Sequence, residues 1–177
     1  GMDALAHCLE AYCAPGYHPM ADGIALEGIR LVFENLPKAA ANGNDLEARA
    51  HMMSAAAMGA TAFQKGLGAI HSLSHPIGAL YDTHHGMTNA LFMPYVLDFN
   101  REAIEDRVAR LAAYCGIEGG FDGFRQRVME LRSSLGVPET LRELIPGLDM
   151  DDVRKGLIAD MAIFDPTAGG NPVELTK

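Results

Sequence analysis

Apolar side chains recur along this chain at spacings of three and four residues, which is the period of an α-helix. The first such stretch is "DALAHCLEAYCA", and the prolines and glycine of "APGYHPM" end it. The second, "ADGIALEGIRLVFENL", is predicted to end near Pro37. "AANGN" then predicts a turn in which Asn44 or Asp45 caps a third helix, from about Asp45 to Gln64.

Five further helices follow from the same period. "GAIHSLSHPIGALY" contains Pro76 inside its pattern, which predicts a kinked or split helix. "MTNALFMPYVLDFN" is predicted as a separate helix, and three amphipathic stretches follow: "REAIEDRVARLAAYCG", "FDGFRQRVMELRSSLG" and "MDDVRKGLIADMAIF". Alternating runs of Val, Ile and Thr, the signal of strands, do not occur. The sequence therefore predicts one all-α, bundle-like domain of about eight helices over residues 1–177.

Composition narrows the classes of function. Fourteen basic against 23 acidic side chains leave a net charge of -9, so no nucleic-acid partner is expected. No apolar run approaches the roughly 18 residues of a membrane span, and no signal-peptide pattern occurs. Cys8, Cys13 and Cys115 form no CxxC pair and are expected to be reduced thiols. We therefore expect a cytoplasmic protein without a membrane partner.

Histidines are concentrated in "GLGAIHSLSHPIGALYDTHHG", which holds four of the seven. His71 and His75 are four residues apart and so share a helix face, as Asp3 and His7 do on the first helix. Two helices that each offer such a pair from an apolar surface can enclose a cation. His85, expected on a loop, can close the site from a third direction.

Three imidazoles and one carboxylate suit Fe²⁺ or Zn²⁺, and suit Ca²⁺ or Mg²⁺ poorly. The structural alternative is that Asp3 interacts only with the N-terminus of its helix and that His7 is an ordinary hydrogen-bonded boundary residue. His18, in a proline-rich loop, and His51, on a helix without an expected acidic or histidine partner, are predicted to be structural. Several imidazoles buried together are costly unless a cation or hydrogen bonds satisfy them, and this favours a metal site.

Other known site patterns do not match. Ser72 stands where a His-Glu-x-x-His zinc protease needs its glutamate. The Glu-x-x-His of di-iron bundles, an adjacent His-Asp pair and a Gly-x-Ser-x-Gly elbow do not occur. "GIEGGFDG" follows no predicted strand, so it is not expected to bind phosphate.

"GMDALAHCLEAY", "KGLGAIHSLSHPIGALYDTHHGMTNALFMPYVLDFN" and "DPTAGGNP" together strongly resemble the iron-containing (group III) alcohol dehydrogenases, over essentially the whole chain. The resemblance implies the C-terminal half of their dehydroquinate-synthase-like fold. In that family a Gly-x-Asp-Ala-Leu-x-His segment gives the metal an aspartate and a histidine, here Asp3 and His7. The first histidine of His-x-x-x-His-Pro and the histidine of the His-Gly pair, here His71 and His85, complete the ligand set.

The same resemblance implies a catalytic and cofactor-binding role for His75, which lies near the metal and the nicotinamide in the family without being a usual ligand. His84 stands where many relatives carry proline, and it is left out of the ligand set. The implied activity is that of an oxidoreductase in which Fe²⁺ (or Zn²⁺) polarises the oxygen of a small alcohol or aldehyde. Hydride then moves to or from NAD(P), and a homo-oligomer is expected.

Family members pair this helical domain with an N-terminal nucleotide-binding domain, and these 177 residues do not predict the βαβ unit that holds a pyrophosphate. We therefore expect no complete turnover from this polypeptide alone. Because Asp3 lies beside a fraying end, the metal site is expected to be weak, empty or ligated by the three histidines. The competing hypothesis is a non-catalytic, truncated helical module that self-associates through an orphaned apolar face. A metal-dependent lyase or a glycerol-type dehydrogenase relative is a more distant alternative.

Overall fold

The computed structural model describes residues 1–176, including all their side chains except those of residues 152 and 153. Within this range it contains eight α-helices, two short 3-10 turns (Phe63–Lys65 and Ala168–Gly170) and no strand, which confirms the all-α prediction. The helices are α1 (Met2–Cys13), α2 (Pro19–Ala41), α3 (Leu46–Ala62), α4 (Ala69–Tyr81), α5 (His85–Tyr114), α6 (Gly120–Ser134), α7 (Leu141–Leu144) and α8 (Asp152–Ile163).

Prolines interrupt the helices less than the sequence predicts. Helix α2 continues past Pro37 and α4 is not split at Pro76, whereas Pro94 lies inside a helix as predicted. The two helices predicted to meet at Asn100 and Arg101 form the single 30-residue helix α5. A proline inside a helix costs about 3 kcal/mol. The buried side chains of α5 lie on both sides of Pro94, so packing of one continuous stripe against the neighbouring helices offsets that cost.

Short polar side chains begin several helices. Asp45, one of the two candidates, caps α3 by accepting a hydrogen bond from the backbone N–H of Ala48 at 2.9 Å. His84 caps α5, and its Nδ1 accepts from the N–H of Met87 at 3.4 Å. This cap corrects the prediction for His85, which is the first residue of α5 and does not lie on a loop.

Two of the remaining histidines lie apart from the cluster. His18 caps α2 through a hydrogen bond from the N–H of Ala21 at 3.2 Å, a structural role. His51 has an acidic neighbour after all, because its Nε2 lies 4.0 Å from Glu47 Oε1 four residues earlier on α3. Both side chains of this pair are exposed, so their interaction contributes little to the stability of the fold.

Helix α1 lies against α2, α3 and α5, and most of its side chains are buried. Two glycines let the neighbouring helices approach it. A Cβ at Gly28 would come within 2.6 Å of the Cys8 sulfur, and a Cβ at Gly59 would lie 2.9 Å from the Cβ of His7. The close packing of α3 at Gly59 therefore fixes the part of α1 that carries His7.

The C-terminal end of α1 is held by a cluster of charges. Asp22 pairs with Lys65 Nζ at 2.7 Å and with Arg107 Nη2 at 2.6 Å, and both cations donate hydrogen bonds to the carbonyl of Tyr12. The guanidinium of Arg107 also lies over the Tyr12 ring, 4.4 Å from its centroid. These contacts join the C-terminal end of α1 to α2 and α5, and α1 is the helix that carries Asp3 and His7.

All three cysteines are free thiols. Cys8 and Cys13 are buried, and burial raises the pKa of each thiol to about 12. Cys115 is partly exposed, and burial raises its pKa to about 11. The thiolate is the reactive form, so these residues act as small apolar side chains. Among residues 1–176, no helix has the length and apolar character needed to cross a membrane.

Candidate metal centre

Asp3, His7, His71 and His85 lie together where α1, α4 and α5 meet. The carboxylate of Asp3 is the common partner: its Oδ2 lies 3.8 Å from His7 Nδ1, and its Oδ1 lies 3.8 Å from His71 Nε2 and 3.4 Å from His85 Nε2. Asp3 does not cap α1, whose N-terminus has no side-chain cap. The structure thus brings together the four residues proposed as ligands, and it turns the Asp3 carboxylate toward the histidines.

The spacing of these atoms fits a small divalent cation. Ligand atoms about 2.1 Å from a tetrahedral cation lie about 3.4 Å from one another. The distances from Asp3 Oδ1 to His71 and His85 are 3.8 and 3.4 Å, and that from Asp3 Oδ2 to His7 is 3.8 Å, all close to that value. One ligand atom from each of Asp3, His7 and His71 lies within 4.8 Å of the others, and His85 lies outside this tighter group of three. Nitrogen donors with a single carboxylate are the set that Fe²⁺ and Zn²⁺ accept.

Asn89 occupies the middle of this group of acceptors. Its Nδ2 donates to Asp3 Oδ1 at 2.6 Å and lies 3.2 Å from His71 Nε2 and 3.0 Å from His85 Nε2. An amide has only two hydrogens for these three acceptors, and the fully buried Asn89 Oδ1 has no hydrogen-bond partner. Three of the four ligand residues therefore share one neutral amide donor that cannot satisfy all of them, and a cation would satisfy these acceptors better.

The orientation of His71 is set by Glu10. His71 is 1% exposed, and its Nδ1 lies 2.5 Å from Glu10 Oε2. The other carboxylate oxygen accepts from the backbone N–H of Ile70 at 2.6 Å, at the N-terminal end of α4, where a negative charge is favourable. A carboxylate only accepts hydrogen bonds, so Nδ1 carries the hydrogen and Nε2 keeps a lone pair toward Asp3.

Electrostatics keep two of the histidines in the form that binds metals. Burial lowers the pKa of His7 and of His85. The negative charge of Asp3 opposes this shift, and the neighbouring His71 lowers both pKa values further. Both imidazoles are therefore neutral near pH 7, and a neutral imidazole is the form that coordinates a cation.

His75 lies beside the group of four. Its ring centroid is 5.8 Å from that of His71 and 5.6 Å from that of His85, and its side chain is 41% exposed. Its Nδ1 lies 2.8 Å from Asp165 Oδ2. The carboxylate that His75 contacts is that of Asp165, whereas the histidines of the group of four lie around the carboxylate of Asp3.

A cleft of about 450 Å³ gives access to the cluster. Asp3 and His85 line it together with His84 and Met87. The side chains of Asp3 and His85 are 34% and 43% exposed, whereas that of His71 is 2% exposed. The cluster therefore has a buried side that holds the geometry and an open side that a small molecule can reach.

Sequence patterns contain a signal for two of the residues that the prediction omitted. Glu10 follows His7 by three residues on α1, and Asn89 follows His85 by four on α5, so both lie on the face that carries the predicted ligand. Asp165 lies ninety residues after His75, and no helical spacing connects them. Only the tertiary structure brings that carboxylate to the site.

Comparison with known proteins gives matches over the full chain. The model of the Fe-containing alcohol dehydrogenase family, C-terminal, matches residues 1–177. The 4-hydroxybutyrate dehydrogenase of Cupriavidus necator is 45% identical over 170 residues, which are 90% of this chain and 44% of that protein. The NAD-dependent methanol dehydrogenase of Bacillus methanolicus is 46% identical over 180 residues, 97% of this chain and 46% of that protein.

Solved structures agree with these sequence matches. A 1,3-propanediol oxidoreductase superposes with a TM-score of 0.90 at 34% identity, covering 98% of this chain and 46% of that one. A sulfoacetaldehyde reductase from Bifidobacterium kashiwanohense, solved in complex with NAD+, gives a TM-score of 0.88 at 26% identity, with coverage of 99% and 45%. The chain spans about half the length of the relatives that it matches.

Proposed function

The chain belongs to the iron-containing alcohol dehydrogenase family, and we propose that its 177 residues form the metal-binding helical domain of an NAD(P)-dependent alcohol dehydrogenase. The observation that carries the proposal is the convergence of Asp3, His7, His71 and His85. Because the chain spans about half of each relative, the whole reaction is proposed for a protein that joins this domain to a nucleotide-binding part.

The four residues Asp3, His7, His71 and His85 would hold Fe²⁺ or Zn²⁺. When bound, such a cation supplies Lewis-acid polarisation of the oxygen of a small alcohol or aldehyde, and NAD(P) accepts or donates the hydride. One carboxylate and three neutral imidazoles leave one net positive charge on a divalent site, which favours negative charge on that oxygen. Glu10 keeps a lone pair on His71 Nε2.

His75 is proposed to move the proton. Oxidation of an alcohol to an aldehyde releases a hydride and the hydroxyl proton, so a group near the oxygen must accept that proton. The exposed ring of His75, 5.6 Å from the ring of His85, can take it at one nitrogen and release it to solvent. In the reduction direction the same ring donates the proton.

Metal binding by the 177-residue chain tests the central part of this function. Dialysis against Zn²⁺, followed by elemental analysis and calorimetric titration, is expected to give one bound equivalent per chain. His71→Ala is expected to lose it, while His51→Ala on the exposed face of α3 keeps it. Equal binding by the chain and by His71→Ala would overturn the proposal.

A second candidate function concerns assembly. Tyr95 and Phe99 on α5 are about half exposed, and Phe164 is 84% exposed. Leu73 and Ile163 join Tyr95 and Phe99 in lining an apolar cleft of about 260 Å³. Because apolar patches of this kind drive association, we propose that the chain forms a homo-oligomer through this face. Sedimentation velocity is expected to show a concentration-dependent oligomer that Phe99→Ser weakens.

Sedimentation velocity and Zn²⁺ binding together separate the enzyme domain from the non-catalytic module. An oligomer that binds one Zn²⁺ per chain supports the metal-binding domain, and an oligomer that binds none supports a helical module without catalytic function. A chain that stays monomeric at all concentrations would contradict the assembly proposal.

A further inference from the structure

His75 on α4 is held by a residue that follows the last helix. Its Nδ1 lies 2.8 Å from Oδ2 of Asp165. The side chain of Asp165 is 11% exposed, whereas that of His75 is 41% exposed. The pair therefore has an enclosed carboxylate and an imidazole that reaches both solvent and the histidine cluster.

The carboxylate of Asp165 is itself fixed in place. Its Oδ1 accepts hydrogen bonds from the backbone N–H of Thr167 at 2.9 Å and from the Thr167 hydroxyl at 2.6 Å. These bonds occupy one oxygen and leave Oδ2 for His75. Burial on its own would raise the pKa of Asp165, but the hydrogen bonds from Thr167 and His75 hold that pKa below its ordinary value.

An ionised carboxylate determines which nitrogen of His75 carries the hydrogen. Because a carboxylate has no hydrogen to donate, the contact requires a hydrogen on Nδ1. Nε2 is then the nitrogen with a free lone pair. The centroid of the His75 ring lies 5.6 Å from that of His85 and 5.8 Å from that of His71. The nitrogen with the free lone pair therefore belongs to a residue next to two of the proposed metal ligands.

We propose that Asp165 is a positioning residue for proton transfer, because it holds His75 in the tautomer whose Nε2 can accept the hydroxyl proton of the substrate. The inference rests on the proposed role of His75 in that transfer. As the substrate O–H bond breaks, an N–H bond forms at Nε2 and the imidazole becomes an imidazolium. The negative charge of Asp165 stabilises this cation, and the ring returns to neutral when Nε2 releases the proton to solvent.

A purely structural role for Asp165 is already filled by its neighbours. Asn171 Oδ1 accepts from the N–H of Ala69, the first residue of α4, at 3.1 Å. The side chains of Asn171 and Asn100 also exchange two hydrogen bonds of 2.8 and 2.9 Å. The segment after α8 is thus attached to α4 and α5 without Asp165, so variants at this position are expected to keep the fold.

Nitrogen-15 NMR of the chain labelled at histidine tests the proposal. Well above the ordinary imidazole pKa, His75 is expected to carry its hydrogen on Nδ1. Asp165→Ala is expected to weaken the preference for that tautomer by roughly tenfold, because a hydrogen bond to a charged group is lost. Asp165→Glu restores part of the preference, and the control Asp122→Ala, at an exposed aspartate paired with Arg101, changes nothing.

Two results would overturn the inference: a hydrogen mainly on Nε2 of His75 in the unaltered chain, or a ratio of the two tautomers in Asp165→Ala that equals the ratio in that chain. If Asp165→Ala does not fold, the tautomers of His75 in the unaltered chain and in Asp165→Glu test the inference instead. Zn²⁺ titration of the same samples keeps the two proposals apart. Absence of Zn²⁺ binding by the unaltered chain contradicts the proposed function, whereas the tautomer of His75 still tests the role of Asp165.

Discussion

Replacing Glu10 with glutamine changes the nitrogen that His71 presents to the cluster. In the structure the Glu10 carboxylate accepts two hydrogen bonds, one from His71 Nδ1 at 2.5 Å and one from the N–H of Ile70 at 2.6 Å. Glutamine has one oxygen and one NH₂ group. If the oxygen keeps Ile70, the NH₂ group faces His71 and favours the tautomer with a hydrogen on Nε2.

A hydrogen on Nε2 opposes metal binding, because that nitrogen must offer a lone pair. Changes in groups that orient a metal ligand typically weaken metal affinity about 10- to 100-fold. Each factor of ten corresponds to about 1.4 kcal/mol, so Glu10→Gln is expected to cost about 1.4 to 2.8 kcal/mol of binding free energy. The chain without metal also loses stability, since the N-terminus of α4 loses a buried negative partner.

Competition with a chelator measures the Zn²⁺ dissociation constant, and urea unfolding measures the stability of the metal-free chain. The matched control is Glu47→Gln, whose side chain is 89% exposed and only approaches His51. We expect the control to match the unaltered chain in both measurements. Zn²⁺ affinity of Glu10→Gln within twofold of the unaltered chain would refute the argument that Glu10 sets the tautomer of His71.

Two further predictions concern the packing and charges around α1. Burial would raise the pKa of Asp22, but Lys65 and Arg107 hold it below the ordinary value, so this carboxylate stabilises the fold above about pH 4 and loses its effect as pH falls through its own lower pKa. Asp22→Asn should therefore cost roughly 1 to 3 kcal/mol in urea unfolding at pH 7 and much less near pH 2, and a pH-independent difference would contradict this. Gly59→Ala places a Cβ 2.9 Å from the Cβ of His7 and should lower the free energy of unfolding by roughly 1 to 3 kcal/mol. The control Gly156→Ala on α8 places a Cβ with no atom within 4 Å and should raise the free energy of unfolding by roughly 0.5 to 1 kcal/mol. Equal effects of the two substitutions in thermal unfolding would refute the packing argument.

Helical periodicity was sufficient to predict the all-α fold, and the clustered side chains indicated a metal site near Asp3, His7, His71 and His85. The choice of His71 rather than His75 as a ligand came from the resemblance to the family. Asp3, His7 and His71 lie on helices in the expected register, because residues four apart share a face. The cap at Asp45 followed from its place before a helical pattern. These features depend on local spacing, which a sequence displays directly.

Features that depend on tertiary packing were not predictable in this way. Helix α5 continues from Asn100 into Arg101, where two separate helices were predicted, because its buried side chains continue on both sides of that point. Glu10 and Asp165 act on histidines that lie 61 and 90 residues away. Helical spacing places Glu10 on the face of α1 that carries His7, but the contact of Glu10 with His71 and that of Asp165 with His75 are set by how α1 and the segment after α8 pack on α4.

X-ray absorption at the zinc edge of the Zn²⁺-loaded chain tests most directly whether one carboxylate and three imidazoles hold a single cation. Only nitrogen and oxygen neighbours at about 2.0 to 2.2 Å are expected, with the outer-shell scattering of three imidazoles. His85→Ala should reduce that scattering to two imidazoles. A sulfur neighbour at about 2.3 Å, or fewer than two imidazoles in the unaltered chain, would contradict the site.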